Sequence, residues 1–166
     1  EVPSNVRAFM SAPTLLFHKK YDNAIHILDS VYKSYAPYSR DAGIIAYSLA
    51  SAYQGKNDSE NMIKYFAISA ISDVLNGARE NLSLKILAKL IFESGDIDRA
   101  YKYMKNAMED AILCNARINT IEASDMYLFI DKAFQEKEKN KFITITILLV
   151  ALCFVCILLC ALFIQL

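Results

Sequence analysis

The chain has 166 residues, 55% hydrophobic and 22% charged, and its 18 basic and 18 acidic side chains cancel to a formal net charge of zero. That length suits one ordinary domain, but the hydrophobic share is high for a soluble one. Charges of both signs are interspersed, which argues against a nucleic-acid-binding role, and the cysteine pattern implies no disulfide framework.

Read from the N-terminus, the chain divides into three similar copies, a last helix, a charged joint and an apolar run. The blocks AIHILDSV from Ala24, MIKYFAIS from Met62 and AYKYMKNA from Ala100 align at a step of 38 residues. At the same step recur Ala12, Ala50 and Ala88, then Leu15, Tyr53 and Ile91, then the acidic Asp22, Glu60 and Asp98. Each copy reads as a helical hairpin. A small alanine on the first helix lets the second cross closely, and the larger residue three positions on fills the space beside the crossing.

In the first copy, Pro13 is expected to break or kink the leading helix. His18 and His26 fall on different elements if the turn lies near Lys19 and Lys20, and both read as ordinary surface or packing histidines. Tyr32, Tyr35 and Tyr38 cluster at the turn from Tyr35 to Arg40 and read as an aromatic wedge between hairpins. The second copy has Asn57 where glycine and Met62 where alanine would be usual, and it ends at a turn from Leu75 to Arg79.

The third copy is the most regular. Leu84, Leu87, Ala88 and Ile91 form a helical stripe, Ser94-Gly95 stops it, Asp96 and Asp98 favour the next N-terminus, and Ala100, Met104 and Ala107 carry the second stripe. Tyr101 and Tyr103 are expected on different sides of that second helix. After a turn from Leu113 to Arg117, a helix runs from about Ile118 to Phe134.

The joint QEKEKNK contains neither glycine nor proline, and the run from Phe142 to Ile164 contains no charge, proline or glycine. Such a run spans about 30 Å as a helix, the thickness of a bilayer core. A buried core helix would show a polar face, and this one shows none. Cys153 and Cys156 form a CxxC inside the run, where no polar partner supports zinc or redox chemistry, and Cys114 stands alone before it. The chain opens without a methionine and stops just past the run, so it reads as a piece of a longer protein.

From Leu84 to Ala107 the pattern L-x-x-L-A-x-x-I-x-x-x-G-x-x-x-x-A-x-x-x-M-x-x-A resembles the tetratricopeptide repeat. Leu84 stands in the usual tryptophan position and Ile91 in the usual tyrosine position, and the step of 38 exceeds the usual 34. The resemblance implies an all-α fold of hairpins in a right-handed superhelix followed by one transmembrane helix. Its expected parts are a repeat domain at 1–135, a joint at 136–141 and a span at 142–164. The stretch from Tyr65 to Phe134, above all ARENLSLKILAKLIFESGDIDRAYKY, is similar to the segment before the membrane span in Bacteroidetes-type tetratricopeptide regulators. Those carry a signal peptide, several repeats, one span, a coiled coil and a cytoplasmic region considered to act in transcriptional control.

The resemblance places binding on the concave face, lined by the first helix of each hairpin. Carried onto this chain it selects Tyr47, Ser51 and Gln54, then Lys85, Lys89 and Phe92, then Tyr127 and Asp131. Lys85 and Lys89 lie one turn apart, where they either meet an anionic group or remain solvated. The lysine–asparagine clamp of chaperone-tail receptors is not expected, with Tyr47 and Ser51 at the positions of one hairpin's contribution.

No phosphate loop, HExxH or nucleophile elbow occurs, so the expectation is a non-enzymatic domain without cofactor or metal, binding a protein or peptide. A homo-oligomer stays open. Lys137, Lys139 and Lys141 before the span favour cytoplasmic repeats, whereas the family resemblance implies periplasmic repeats on a single-pass bacterial inner-membrane protein. The family's sensor or regulator is the leading expectation. A static membrane-tethered scaffold and a tail-anchored chaperone adaptor with cytoplasmic repeats are the alternatives.

Overall fold

The computed structural model describes residues 4–78, 82–113 and 117–165, with the side chains of 117–123 and 163–165 left aside. Cys114, Arg79 at the end of the second turn, most of the turn from Leu113 to Arg117, and the side chains of Ile118 and Ile164 therefore lie outside the described residues. Among the described residues seven helices follow in order: α1 (Ser4–Phe17), α2 (Tyr21–Tyr32), α3 (Arg40–Gly55), α4 (Ser59–Leu75), α5 (Leu82–Glu93), α6 (Ile97–Leu113) and α7 (Arg117–Gln165). Among the described residues there is no strand. Two compact units result, Glu1–Ile130 and Asp131–Leu166.

In the first unit α1 packs on α2, α3 on α4 and α5 on α6, while α2 meets α3 and α4 meets α5. The turn inside each hairpin is the same device three times. Lys19, Asn57 and Gly95 adopt positive φ of 58°, 59° and 91°. The next residue's N–H, on Lys20, Asp58 and Asp96, then reaches back to the carbonyls of Leu15, Tyr53 and Ile91 at 2.8, 3.0 and 3.2 Å. The left-handed residues themselves donate to Leu16, Gln54 and Phe92, completing a Schellman motif.

That motif leads directly into the next helix. Asp58 and Asp96 accept from the backbone N–H of Asn61 and Arg99 at 3.1 and 3.0 Å, capping α4 and α6. Lys20 occupies the same place before α2 without a side-chain cap. Because the inner turn is this short, the longer repeat step is taken up by the second helices, 17 residues each in α4 and α6, and by the turns between hairpins. There Asn76, the C-cap of α4, donates from its side chain to the carbonyl of Tyr38 at 2.9 Å and ties one interhairpin turn to the other.

The core follows the repeat columns. Ala12, Ala50 and Ala88 are fully buried, as are Ala24 and Ala100, with Met62 nearly so. One turn further on, Leu28, Phe66 and Met104 fill the space between helices. Close approach is visible between α3 and α4, where a Cβ added at Gly43 would lie 2.6 Å from that of Ser72.

One expectation needs correction, and of the break or kink expected at Pro13 the break does not occur: α1 runs through Pro13 without ending there. Pro13 is exposed, so the turn that loses its backbone donor lies where water can reach it, while the neighbouring Ala12 stays packed. The aromatic wedge is made by two tyrosines rather than three. Tyr32 meets Tyr65 edge-on at 6.0 Å, and Tyr35 packs on the core while its hydroxyl accepts from Asn5. Tyr38 is 43% exposed, because its positive φ of 58° serves the turn and leaves the ring outside.

The second unit is helical from Asp131 to Gln165, so the joint at 136–141 and the apolar run share one helix. Thr144 and Thr146 donate their hydroxyls to the carbonyls of Asn140 and Phe142, both at 2.9 Å, which leaves no side-chain donor idle in the first turns of the run. This is one helix long and apolar enough to cross a membrane, with mean hydropathy 3.2, and none of its most apolar window is buried within the chain. Cys153, Cys156 and Cys160 are free and exposed along it.

The repeated left-handed position makes a direct test. Gly95→Ala should lower the unfolding free energy of the repeat domain by about 1–2 kcal/mol, because a Cβ opposes positive φ, whereas Lys19→Gly should raise it by up to about 1 kcal/mol. Denaturant midpoints followed by circular dichroism would separate the two; shifts of the same sign would count against the shared turn geometry.

Candidate binding groove

The repeat step also aligns residues on the open side of the first helices. Val6, Ile44 and Leu82 form one column at intervals of 38, with Ile44 48% and Leu82 36% exposed. Two cavities lie along this column. One, of about 210 Å³, is lined by Val6, Phe9, Tyr35, Asp41, Ile44 and Ile45. The other, of about 260 Å³, is lined by Ile44, Tyr47, Ser48, Ser69, Asp73, Leu82 and Ser83. Ile44 belongs to both, so they adjoin along α3.

Of the residues the sequence points to, Tyr47 lies in the second cavity with its ring edge-on to Phe66 at 5.6 Å. Burial raises the pKa of its hydroxyl above the usual 10.0. Ser51 is half-buried and donates to the carbonyl of Tyr47 at 3.0 Å, while Gln54 is exposed. Lys85 is half-buried, and Lys89 is exposed and pairs with Glu93 at 3.9 Å, an i,i+4 pair worth a few tenths of a kcal/mol.

Phe92 and Tyr127 are occupied by packing. Phe92 meets the exposed Phe129 edge-on at 5.4 Å, Tyr127 stacks on Tyr101 at 6.0 Å, and Phe92, Tyr101 and Tyr127 pack against the cluster of Ala88, Ala100, Met104 and Ile130. Tyr103 packs against this cluster too and also reaches a second one with Ala70, Leu84 and Ala107, so both neighbouring tyrosines contribute to the core. Asp131 is half-buried at the start of the second unit. His18 follows the end of α1, whereas His26 lies within α2.

Ile44, Ser48, Asp73 and Leu82 line the groove without having been singled out by sequence reasoning. The repeat step could have found Ile44 and Leu82. Asp73 sits on α4, a second helix, where a search confined to first helices does not look. Its carboxyl pKa is raised above 3.8, mainly by burial, with the positive charge of Arg40 acting in the opposite sense. Among the described residues no group of His, Cys, Asp and Glu gathers in a form that could hold a metal ion.

Paired helices at a fixed step, with a groove lined by first-helix side chains, define a tetratricopeptide-type repeat domain, a class that supports a protein-binding role. Residues 3–125 match the family described as the SusR N-terminal TPR domain, and the chain belongs to that family. The fold is shared with a chain in the crystal structure of a T3SS complex from Aeromonas hydrophila, at a TM-score of 0.67. Identity is 13%, covering 81% of this chain and 85% of that one, so the likeness concerns the fold alone. No curated protein matches the sequence.

The raised pKa of Asp73 has a sign. The folded state holds its proton more tightly than the unfolded chain, so this group opposes folding above its folded pKa, and the opposition fades as the pH falls toward 3.8. Asp73→Asn should therefore be more stable than the parent at neutral pH, with the advantage vanishing in acid. Melting temperature against pH measures this; an unchanged difference across the range would contradict it.

Proposed function

We propose that the repeat domain is a non-enzymatic module that binds a protein or peptide in the groove of α1, α3 and α5. In this reading the chain supplies the sensing half of a membrane-anchored transcriptional regulator. The observation that carries the binding role is the pair of adjoining cavities on one side of successive first helices, which suits an extended ligand better than a compact one. Membership of the SusR N-terminal TPR domain family supports the regulatory context.

The apolar helix supports a single-pass anchor, and the family resemblance favours repeats on the periplasmic side of a bacterial inner membrane. Residues 136–141 are helical and continuous with the apolar run, which supports passage of a change in the repeats to the span through helical backbone. A flexible linker would dissipate such a change.

Insertion of a glycine–serine segment after Gln135 should abolish signalling while leaving ligand binding within about twofold, because it interrupts the helix without touching the groove. A transcriptional reporter read alongside binding to the full-length protein distinguishes the outcomes. Retained signalling would reject coupling through the joint and leave a scaffold, for which an unrelated span would serve equally well.

A further inference from the structure

We propose that the cavity between α3, α4 and α5 receives the cationic end of a lysine or arginine side chain of the bound peptide, held by Asp73 and Tyr47, with its aliphatic stem against Ile44 and Leu82. The inference rests on the peptide-binding reading and specifies the partner's chemistry.

The polar inventory of the cavity singles out these two groups. Ser48 donates to the carbonyl of Ile44 at 3.2 Å, and Ser83 donates to the hydroxyl of Ser69 at 2.7 Å in a buried pair. The Asp73 carboxylate and the Tyr47 hydroxyl have no hydrogen-bond or ion-pair partner among the described residues, and both are half-buried. Arg40 acts on Asp73 electrostatically without closing an ion pair among them. No buried side-chain nitrogen or oxygen among the described residues is sealed off unsatisfied, so the oxygens of both groups keep some contact with solvent.

A partly desolvated carboxylate is best satisfied by a charged donor, and charge-assisted bonds are about twice as strong as neutral ones. Beside the serines, Ile44 and Leu82 supply apolar wall, which suits the methylene stem of a long basic side chain. At about 260 Å³ the cavity falls below the roughly 300–1,000 Å³ of small-molecule sites and is roomy enough for one long side chain. The adjoining cavity, lined by Val6, Phe9, Tyr35, Asp41, Ile44 and Ile45, would take a neighbouring residue of the same peptide.

The test uses the full chain in nanodiscs of zwitterionic lipid, with empty nanodiscs as background. The probes are three short fluorescent peptides of leucine and alanine that differ only at a central lysine, acetyl-lysine or glutamate. Fluorescence polarisation should rank lysine first, by about tenfold over acetyl-lysine and by more over glutamate. Asp73→Asn should reduce the lysine preference to near unity while weaker apolar binding persists. Ser48→Lys, which brings a cation into the cavity from α3, should do the same, and circular dichroism confirms that both variants fold. An unchanged preference in Asp73→Asn, or equal binding of all three peptides to the parent, overturns the basic side-chain pocket and leaves the groove reading intact. No binding by any of them overturns the pocket and counts against the groove as well.

Discussion

Two helices that meet at a methyl group can approach until their flanking side chains interlock, and three such meetings at Ala12, Ala50 and Ala88 organise the repeat domain. Each alanine is fully buried, so any larger side chain would force its pair of helices apart. The left-handed turns at Lys19, Asn57 and Gly95 serve these crossings by bringing the second helix back within a few residues. With the crossing set, Leu28, Phe66 and Met104 find matching spaces one turn away, and stacked hairpins extend the core.

The groove is a consequence of the same geometry. First helices repeated at one step place equivalent residues in a column, so one face of Val6, Ile44 and Leu82 emerges as an apolar ridge. Asp73 enters from the partner helix α4 and stands apart from that regularity. A half-buried carboxylate costs stability, and costs of this kind concentrate at sites with a task beyond folding.

The second unit follows a different rule. Its helix from Phe142 to Leu162 presents exposed apolar side chains along its length, and the threonine hydroxyls near its start are directed back to the helix's own backbone. Such a surface is compatible with the hydrocarbon core of a bilayer. The charged joint before it is helical as well, with Glu138 and Lys141 one turn apart and paired at 3.6 Å.

Much of this was legible in the residues themselves. The alanine column, the glycine-like place of Asn57 and the apolar run all follow from local spacing, because helix periodicity and turn chemistry act between near neighbours. Pro13 shows the limit, since of the break or kink that a local rule expects, the break is overridden at an exposed position with a packed neighbour. Phe92 and Tyr127 stand in groove positions by register yet pack against Phe129 and Tyr101, which depends on which aromatic rings tertiary contacts bring together. The cavity at Asp73 was decided by tertiary structure alone. Its walls come from three helices, and only the stacking of one hairpin on the next brings Tyr47, Asp73 and Leu82 around the same space.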